Sequence, residues 1–305
     1  MATIARAAPA RSQTLEVRAT RDRESLREFL EQDRLFAAYA ICDLEEREFP
    51  RTRWGIAMDR GQVVSVVLEY FGLSPQPLFV MGDDAGVAAI LEDVIRPRVA
   101  FLSGLPHSLT AVERVYRVES GPPMVRMWID RATFVPGPQV ATRLMPAEIG
   151  DLNRLYDLGF SSWLPADSIR HGVYYGVRVD GRLVAAAGTH VISREAGLGV
   201  VGNVMTHRDH RSQGLAKLTT GAVTAELLRS CDHVVLTVRS DNPPALAAYR
   251  ALGYQEHTRF EERVVRRRGA LWDSITQPFR RWFPAARSPS DPDPVRPPSD
   301  RADLR

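Results

Sequence analysis

Apolar positions in this 305-residue chain switch between the spacing of strands and that of helices, and they do so twice in the same order. A short alternating stretch at residues 15–18 is followed by Leu26, Phe29, Leu30 and Leu35 at helical spacing in a charged background. Residues 37–48 predict a second helical stretch. Residues 54–68 predict two strands joined by a tight turn at Asp59, Arg60 and Gly61. A strand over 78–81, a helix over 87–95, a strand over 98–102, a helix around 109–115 and a strand over 124–129 complete this first series.

Pro136, Gly137 and Pro138 punctuate the chain, and the series starts again. It predicts a strand over 139–144, a helix from Pro146 to Leu158 and a helical turn near 165–170. A hairpin over 174–188 turns at Asp180 and Gly181. A strand over 198–206, a helix over 215–230, a strand over 233–238, a helix over 244–252 and a strand from Tyr254 follow. The repeated order, hairpin included, reads as a diverged tandem duplication of an α/β (α+β) unit. The expected division is a flexible tail over 1–13, a first domain over 14–135, a second over 136–262 and a terminal segment over 263–305. Within that last segment, residues 271–283 place Leu271, Trp272, Ile275, Phe279 and Trp282 at rough helical spacing, and Pro, Ser, Asp and Arg dominate from Pro284 onward.

Charge sharpens this picture. Lys217 is the only lysine, so 39 of the 40 basic side chains are arginine. Residues 1–13 carry +2 and residues 263–305 carry +5, so the overall +3 leaves residues 14–262 at −4. A folded body without a basic face does not fit nucleic-acid binding. No apolar run approaches the roughly 18 residues that span a bilayer. Cys42 and Cys231 lie far apart without metal-ligand spacing, so no metal is expected, and two plain thiols fit a reducing cytoplasm.

Chemistry concentrates at a strand-to-helix junction, residues 203–217. Arg211, Gly214 and Ala216 have the form R-x-x-G-x-A, whose small residues let successive N–H groups converge ahead of a helix N-terminus. Such a loop suits a pyrophosphate. It is neither a P-loop nor a dinucleotide fingerprint, because both need glycines that are missing here. By itself it also reads as an ordinary glycine turn. Downstream, Asn242 stands where an N-cap belongs, Pro243 and Pro244 occupy the first helical positions, and Gly253 closes the helix. Tyr249, three residues from both Leu246 and Leu252, belongs to the apolar face and reads equally as core.

Together these segments resemble the GNAT superfamily of CoA-dependent N-acyltransferases. The resemblance rests on the strand ending at Thr206 and His207, the R-x-x-G-x-A loop and the block N-x-x-A-x-x-x-Y-x-x-L-G-Y from Asn242 to Tyr254. It covers residues 139–262 and looks closest to the glycine N-acyltransferase-like branch. It implies two tandem GNAT-like domains, each a mixed, mainly antiparallel twisted sheet flanked by helices, with the second one catalytic. It further implies that Arg211, Ser212, Gln213, Gly214, Leu215 and Ala216 hold the pyrophosphate of acetyl-CoA. Val204, Met205 and Thr206 would pair with the pantetheine arm, Asn242 would contact the cofactor near its thioester, and Tyr249 would protonate the departing thiolate. The reaction implied is direct attack of an amine on the acyl thioester, with no metal.

One departure matters. Relatives often carry a carboxylate on the strand before the loop as general base, and residues 196–202 contain none. Glu195, His190 or an ordered water chain remain as bases. In the first half, Asp83 and Asp84 face the place a pyrophosphate would need, so that half is expected to be degenerate. The expected protein is a cytoplasmic acetyltransferase acting on a small-molecule or peptide amine, with weak membrane or protein contact through residues 271–283. The alternative is a non-catalytic acyl-CoA-binding or regulatory protein.

Overall fold

The two hairpins form where the paired turn residues require them. β2 (Thr52–Asp59) and β3 (Gln62–Tyr70) are joined by Arg60 and Gly61, and β9 (Tyr175–Val179) and β10 (Arg182–Ser193) by Asp180 and Gly181. All four turn residues have positive φ, between 49° and 81°, which matches the right-handed twist of the flanking strands. The computed structural model describes residues 15–157 and 164–269, so the segment 271–283 lies outside the described residues.

The remaining strands are β1 (Glu16–Thr20), β4 (Gln76–Gly82), β5 (Val99–Gly104), β6 (Tyr116–Val118), β7 (Met124–Ile129), β8 (Thr142–Arg143), β11 (Leu198–Thr206), β12 (His233–Arg239) and β13 (Gln255–Arg267). They make one mixed, mostly antiparallel sheet in the order β1-β2-β3-β4-β5-β13-β7-β12-β11-β10-β9-β8, with β6 paired to β13. The helices are α1 (Arg23–Leu30), α2 (Ala38–Cys42), α3 (Asp84–Asp93), α4 (Leu109–Val115), α5 (Ile149–Tyr156), α6 (Ala166–His171), α7 (Leu215–Leu227) and α8 (Pro243–Arg250). The helix expected over 37–48 stops at Cys42. Asp43, Glu45, Glu46 and Glu48 would otherwise crowd the negative end of its dipole.

Period-two burial sorts the strands between two layers. On one face, α1 and α2 cover Trp54, Ile56, Val66 and Leu68, and the same cluster reaches Leu198, Val200 and Val235 of the second half. On the other face, the first half buries Val67, Val80 and Leu102 beside α3 and α4. There the second half buries Val201, Val234 and Leu236 beside α7 and α8.

The halves also trade their last strands. β7 ends the first series yet pairs with β12 of the second, Val234 opposite Ile129. β13 pairs with β7 over Gln255–Phe260 and then with β5 over Glu261–Arg266. A cut at residue 136 therefore does not divide the sheet, and Arg263 to Arg267, expected in the terminal segment, are ladder residues of β13. Arg263 is buried, with its guanidinium donating to the carbonyls of Pro122 (2.7 Å) and Gly121 (2.5 Å).

Phe260 marks the crossing. It is fully buried, with its ring 5.6 Å from that of Phe36, which packs in turn on Phe79 at 5.1 Å. Phe260→Ala is expected to lower the unfolding free energy by about 3–5 kcal/mol. Because the halves share strands, urea unfolding followed by tryptophan fluorescence and by far-UV circular dichroism should give coincident single transitions. Two separated transitions in the wild type would contradict mutual dependence of the halves.

Candidate functional site

The site is built on a fork. β11 runs parallel to β12 for only four residue pairs, Leu198–Val201 against His233–Leu236. Beyond them β12 stays with β7 as far as Arg239, and β11 stays with β10 as far as Thr206. Residues 202–206 are thereby left with one edge unpaired with β12. The β10–β11 register slips at Ala186/Gly188 and again at Thr189/Val191, and Asn203 takes a left-handed φ of 52°. Gly202 makes room there for the His190 ring, which a Cβ would meet at 2.2 Å. An unpaired strand edge of this kind accepts an extended ligand as if it were another strand. Val204, Met205 and Thr206 all lie on this limb.

Past Thr206 the backbone curls ahead of α7. Ser212 (φ 63°) and Gly214 (φ 74°) are both left-handed, and Arg211 Nε reaches back to the Thr206 carbonyl at 3.5 Å. Gly214 is the N-cap of α7 with no side-chain cap, and a Cβ placed on it meets nothing within 4 Å. The first N–H groups of a 13-residue helix, those of Leu215 and Ala216 included, thus receive no side-chain cap at the positive end of its dipole. Ser212 and Gln213 are exposed beside them. This is the chemistry of an anion cradle.

The opposite limb leads to α8. Asn242 caps it, its side-chain oxygen accepting from Ala245 N–H at 3.3 Å, and Pro243 opens the helix. Tyr249 is 7% exposed, packed on Tyr254, and burial pushes its phenol up to about 12. Tyr254 shares a 2.7 Å hydrogen bond with Thr224, whereas the Tyr249 hydroxyl has no partner among the described residues and keeps contact with solvent. A neutral phenol with its proton uncommitted is equipped to donate it.

The two expected bases lie in different places. Glu195 sits in the β10–β11 turn, at the far end of β11 from the fork, exposed and paired with Arg27 at 2.8 Å. His190 stands against Gly202 where β11 leaves β12. Its Nδ1 lies 2.5 Å from the Tyr39 hydroxyl and its Nε2 3.2 Å from Asn203 Oδ1. Desolvation holds the imidazole below its usual pKa. Tyr39, Asn203 and Arg126, which surround it, carry no sequence motif. The nearest signal is Asn203, a residue type that strands disfavour.

In the first half the fork recurs without the cradle. β4 pairs with β5 only over Gln76–Phe79, but it enters α3 almost directly through Gly82 and Asp83. No loop intervenes, and Asp84 is 3.0 Å from His107. Among the described residues no group of three or more His, Cys, Asp or Glu side chains could hold a metal ion, and no helix is long and apolar enough to cross a membrane.

Residues 141–254 match the model of the acetyltransferase (GNAT) family. No curated protein matches the chain. Among solved structures, a GCN5-related N-acetyltransferase from Sphaerobacter thermophilus is 14% identical, with 83% of this chain and 95% of that one covered at a TM-score of 0.55. A tandem GNAT protein from the clavulanic acid biosynthesis pathway is 16% identical over 84% of this chain and 99% of that one, at 0.50. A GCN5-related N-acetyltransferase from Kribbella flavida is 22% identical over 68% and 89%, also at 0.50. The fold is that of these proteins, and residues 141–254, which match the GNAT family model, carry the fork, the cradle and Tyr249.

Proposed function

We propose that this protein is a cytoplasmic acyl-CoA-dependent N-acyltransferase that moves an acetyl group from acetyl-CoA to a primary amine by direct attack. What supports the reading is that the elements leaving one fork carry an unpaired strand edge, an uncapped helix N-terminus and a phenol with an uncommitted proton. When bound, acetyl-CoA supplies the activated acyl thioester. Backbone N–H groups from Ser212 to Ala216 hold its pyrophosphate, with Arg211 bracing the loop through Thr206. Val204, Met205 and Thr206 offer their free edge to the pantetheine arm. Asn242 lies at the α8 end of the fork, near the place for the thioester, while its side chain caps the helix. Tyr249 delivers its proton to the leaving sulfur. The second reading, a non-catalytic acyl-CoA-binding protein, is favoured by one observation, the lack of a carboxylate over residues 196–202.

Calorimetry with acetyl-CoA tests the cofactor assignment. Gly214→Asp puts a carboxylate into the space over the α7 N-terminus and is expected to weaken binding at least tenfold, roughly the 1.4 kcal/mol that one repelled charge readily costs. Binding indifferent to that change would remove the cradle. Tyr249→Phe is expected to lower turnover about 10²-fold in a thiol-release assay while leaving acetyl-CoA affinity nearly unchanged. Full turnover in that variant would take the proton donor elsewhere. Asn242→Ala should cost about 1 kcal/mol of ligand-free stability in urea unfolding, as loss of an N-cap does.

A further inference from the structure

The catalytic fork is completed by the first half of the chain. Tyr39, on α2, is linked to each limb through one neighbour, His190 on β10 and Arg126 on β7. Its hydroxyl meets His190, which packs against Gly202 on the β11 limb. Its ring lies 5.2 Å from the Arg126 guanidinium carbon, and Arg126 donates at 2.6 Å to Thr237, the first β12 residue beyond the paired stretch. Arg126 is itself buried, held by the Phe36 carbonyl at 3.4 Å and stacked 4.9 Å from the centre of the Phe260 ring. Tyr39 therefore sits across the opening, on the sheet face opposite Tyr249.

The hydrogen bonds around His190 fix where its proton resides. The Tyr174 hydroxyl donates to the Thr189 carbonyl at 3.0 Å, so toward Asn203 it can only accept. Asn203 must then present Nδ2 to Tyr174, at 3.0 Å, and Oδ1 to His190. That oxygen accepts only, so His190 Nε2 carries the hydrogen and Nδ1 is left with a lone pair. The Tyr39 hydroxyl consequently donates to Nδ1. Tyr156 locks the arrangement further by donating to the Asn203 carbonyl at 2.6 Å.

Resting on the acyltransferase reading, we propose that Tyr39 and His190 form the general-base pair for the acceptor amine, with Asn203 as the positioning residue that fixes the tautomer. As the amine nitrogen bonds to the acyl carbon and the carbon–sulfur bond breaks, an amine proton passes to the Tyr39 oxygen and the Tyr39 proton passes to His190 Nδ1. The departing thiolate takes the proton of Tyr249. The imidazolium returns its proton to solvent, which also restores the Tyr249 phenol. Two further features suit the pair to this task. Burial keeps the Tyr39 phenol neutral and the imidazole unprotonated, and the charged groups facing them are Arg126 on β7 and Glu262 on β13. The missing strand carboxylate is thereby replaced by a pair drawn from both halves, and no carboxylate is needed at the fork.

The test uses the full chain, acetyl-CoA and a panel of glycine, putrescine, glucosamine and an alanine-initiated peptide. Tyr39→Phe keeps the ring between Arg126 and His190, so folding, checked by thermal melting, and acetyl-CoA affinity should persist. Turnover with the best amine should fall about 10²-fold. His190→Gln should fall similarly, and the double variant should be no slower than the slower single, because the two act as a unit. Wild-type turnover should be lost as pH falls through the His190 titration, which burial holds under the usual histidine range, and this limb should vanish in His190→Gln. Histidine ¹⁵N spectra should show the Nε2–H tautomer. Full turnover in Tyr39→Phe, multiplying losses in the double variant, or an Nδ1–H tautomer each overturn the pair while leaving the acyltransferase reading intact. Absence of acetyl-CoA binding, or binding without thiol release from any amine of the panel, overturns the acyltransferase reading and the pair with it.

Discussion

Two parallel strands that part after four residue pairs set the conditions for everything else in the second half. A parallel ladder inside a sheet ordinarily continues until its strands end, because an unpaired buried edge costs free energy at every N–H and C=O group. Here β11 keeps its bonds to β10, and β12 keeps its bonds to β7, so each limb is satisfied on one side only. The slip in the β10–β11 register and the left-handed Asn203 bend β11 away, and the His190 ring, allowed by Gly202, helps hold the bend in place. The opening is thus made by side-chain packing on one limb and by a neighbouring strand on the other.

That neighbouring strand comes from the other half of the chain. β7 supplies the backbone that keeps β12 from following β11, and it carries Arg126 to the edge of the opening. α2 supplies Tyr39, and β13 ties the arrangement to β5. The first half lacks a phosphate loop, since β4 runs into α3 with almost no connection. Its retention follows from geometry: without it β12 would lose its partner, and the cluster joining Trp54 and Phe79 to Leu198 and Val235 would be cut through the middle.

The sequence carried the repeated elements well, because each depends on local chemistry. Asp180 with Gly181, and Arg60 with Gly61, demand tight turns, and Asn242 with Pro243 demands a helix start. The exchange of last strands was not legible. Nothing in the alternation along residues 255–267 says that one strand will pair with β7 for its first part and with β5 for its second. The site divides in the same way. The loop from Arg211 to Ala216 and the block around Tyr249 are contiguous and can be read directly. The contact between Tyr39 and His190 joins residues 151 apart and exists only once the sheet has formed. Glu195 looked suitable by proximity in sequence, but the fork opens only after four ladder pairs along β11, and Arg27 takes its charge.

In the proposed reaction a body at −4 handles a polyanionic ligand and a proton transfer at once. The anion cradle uses backbone dipoles, which attract phosphate without adding formal charge near the fork. Tyr249 belongs to the cluster beneath α7 and α8, and Tyr39 to the cluster beneath α1 and α2, so the two phenols approach the opening from opposite faces of the sheet. In the proposed reaction a proton must leave the amine while another reaches sulfur. A donor and an acceptor in hydrogen-bond contact would simply exchange protons with each other. In that reaction the two phenols, packed in separate clusters, serve the amine and the sulfur separately.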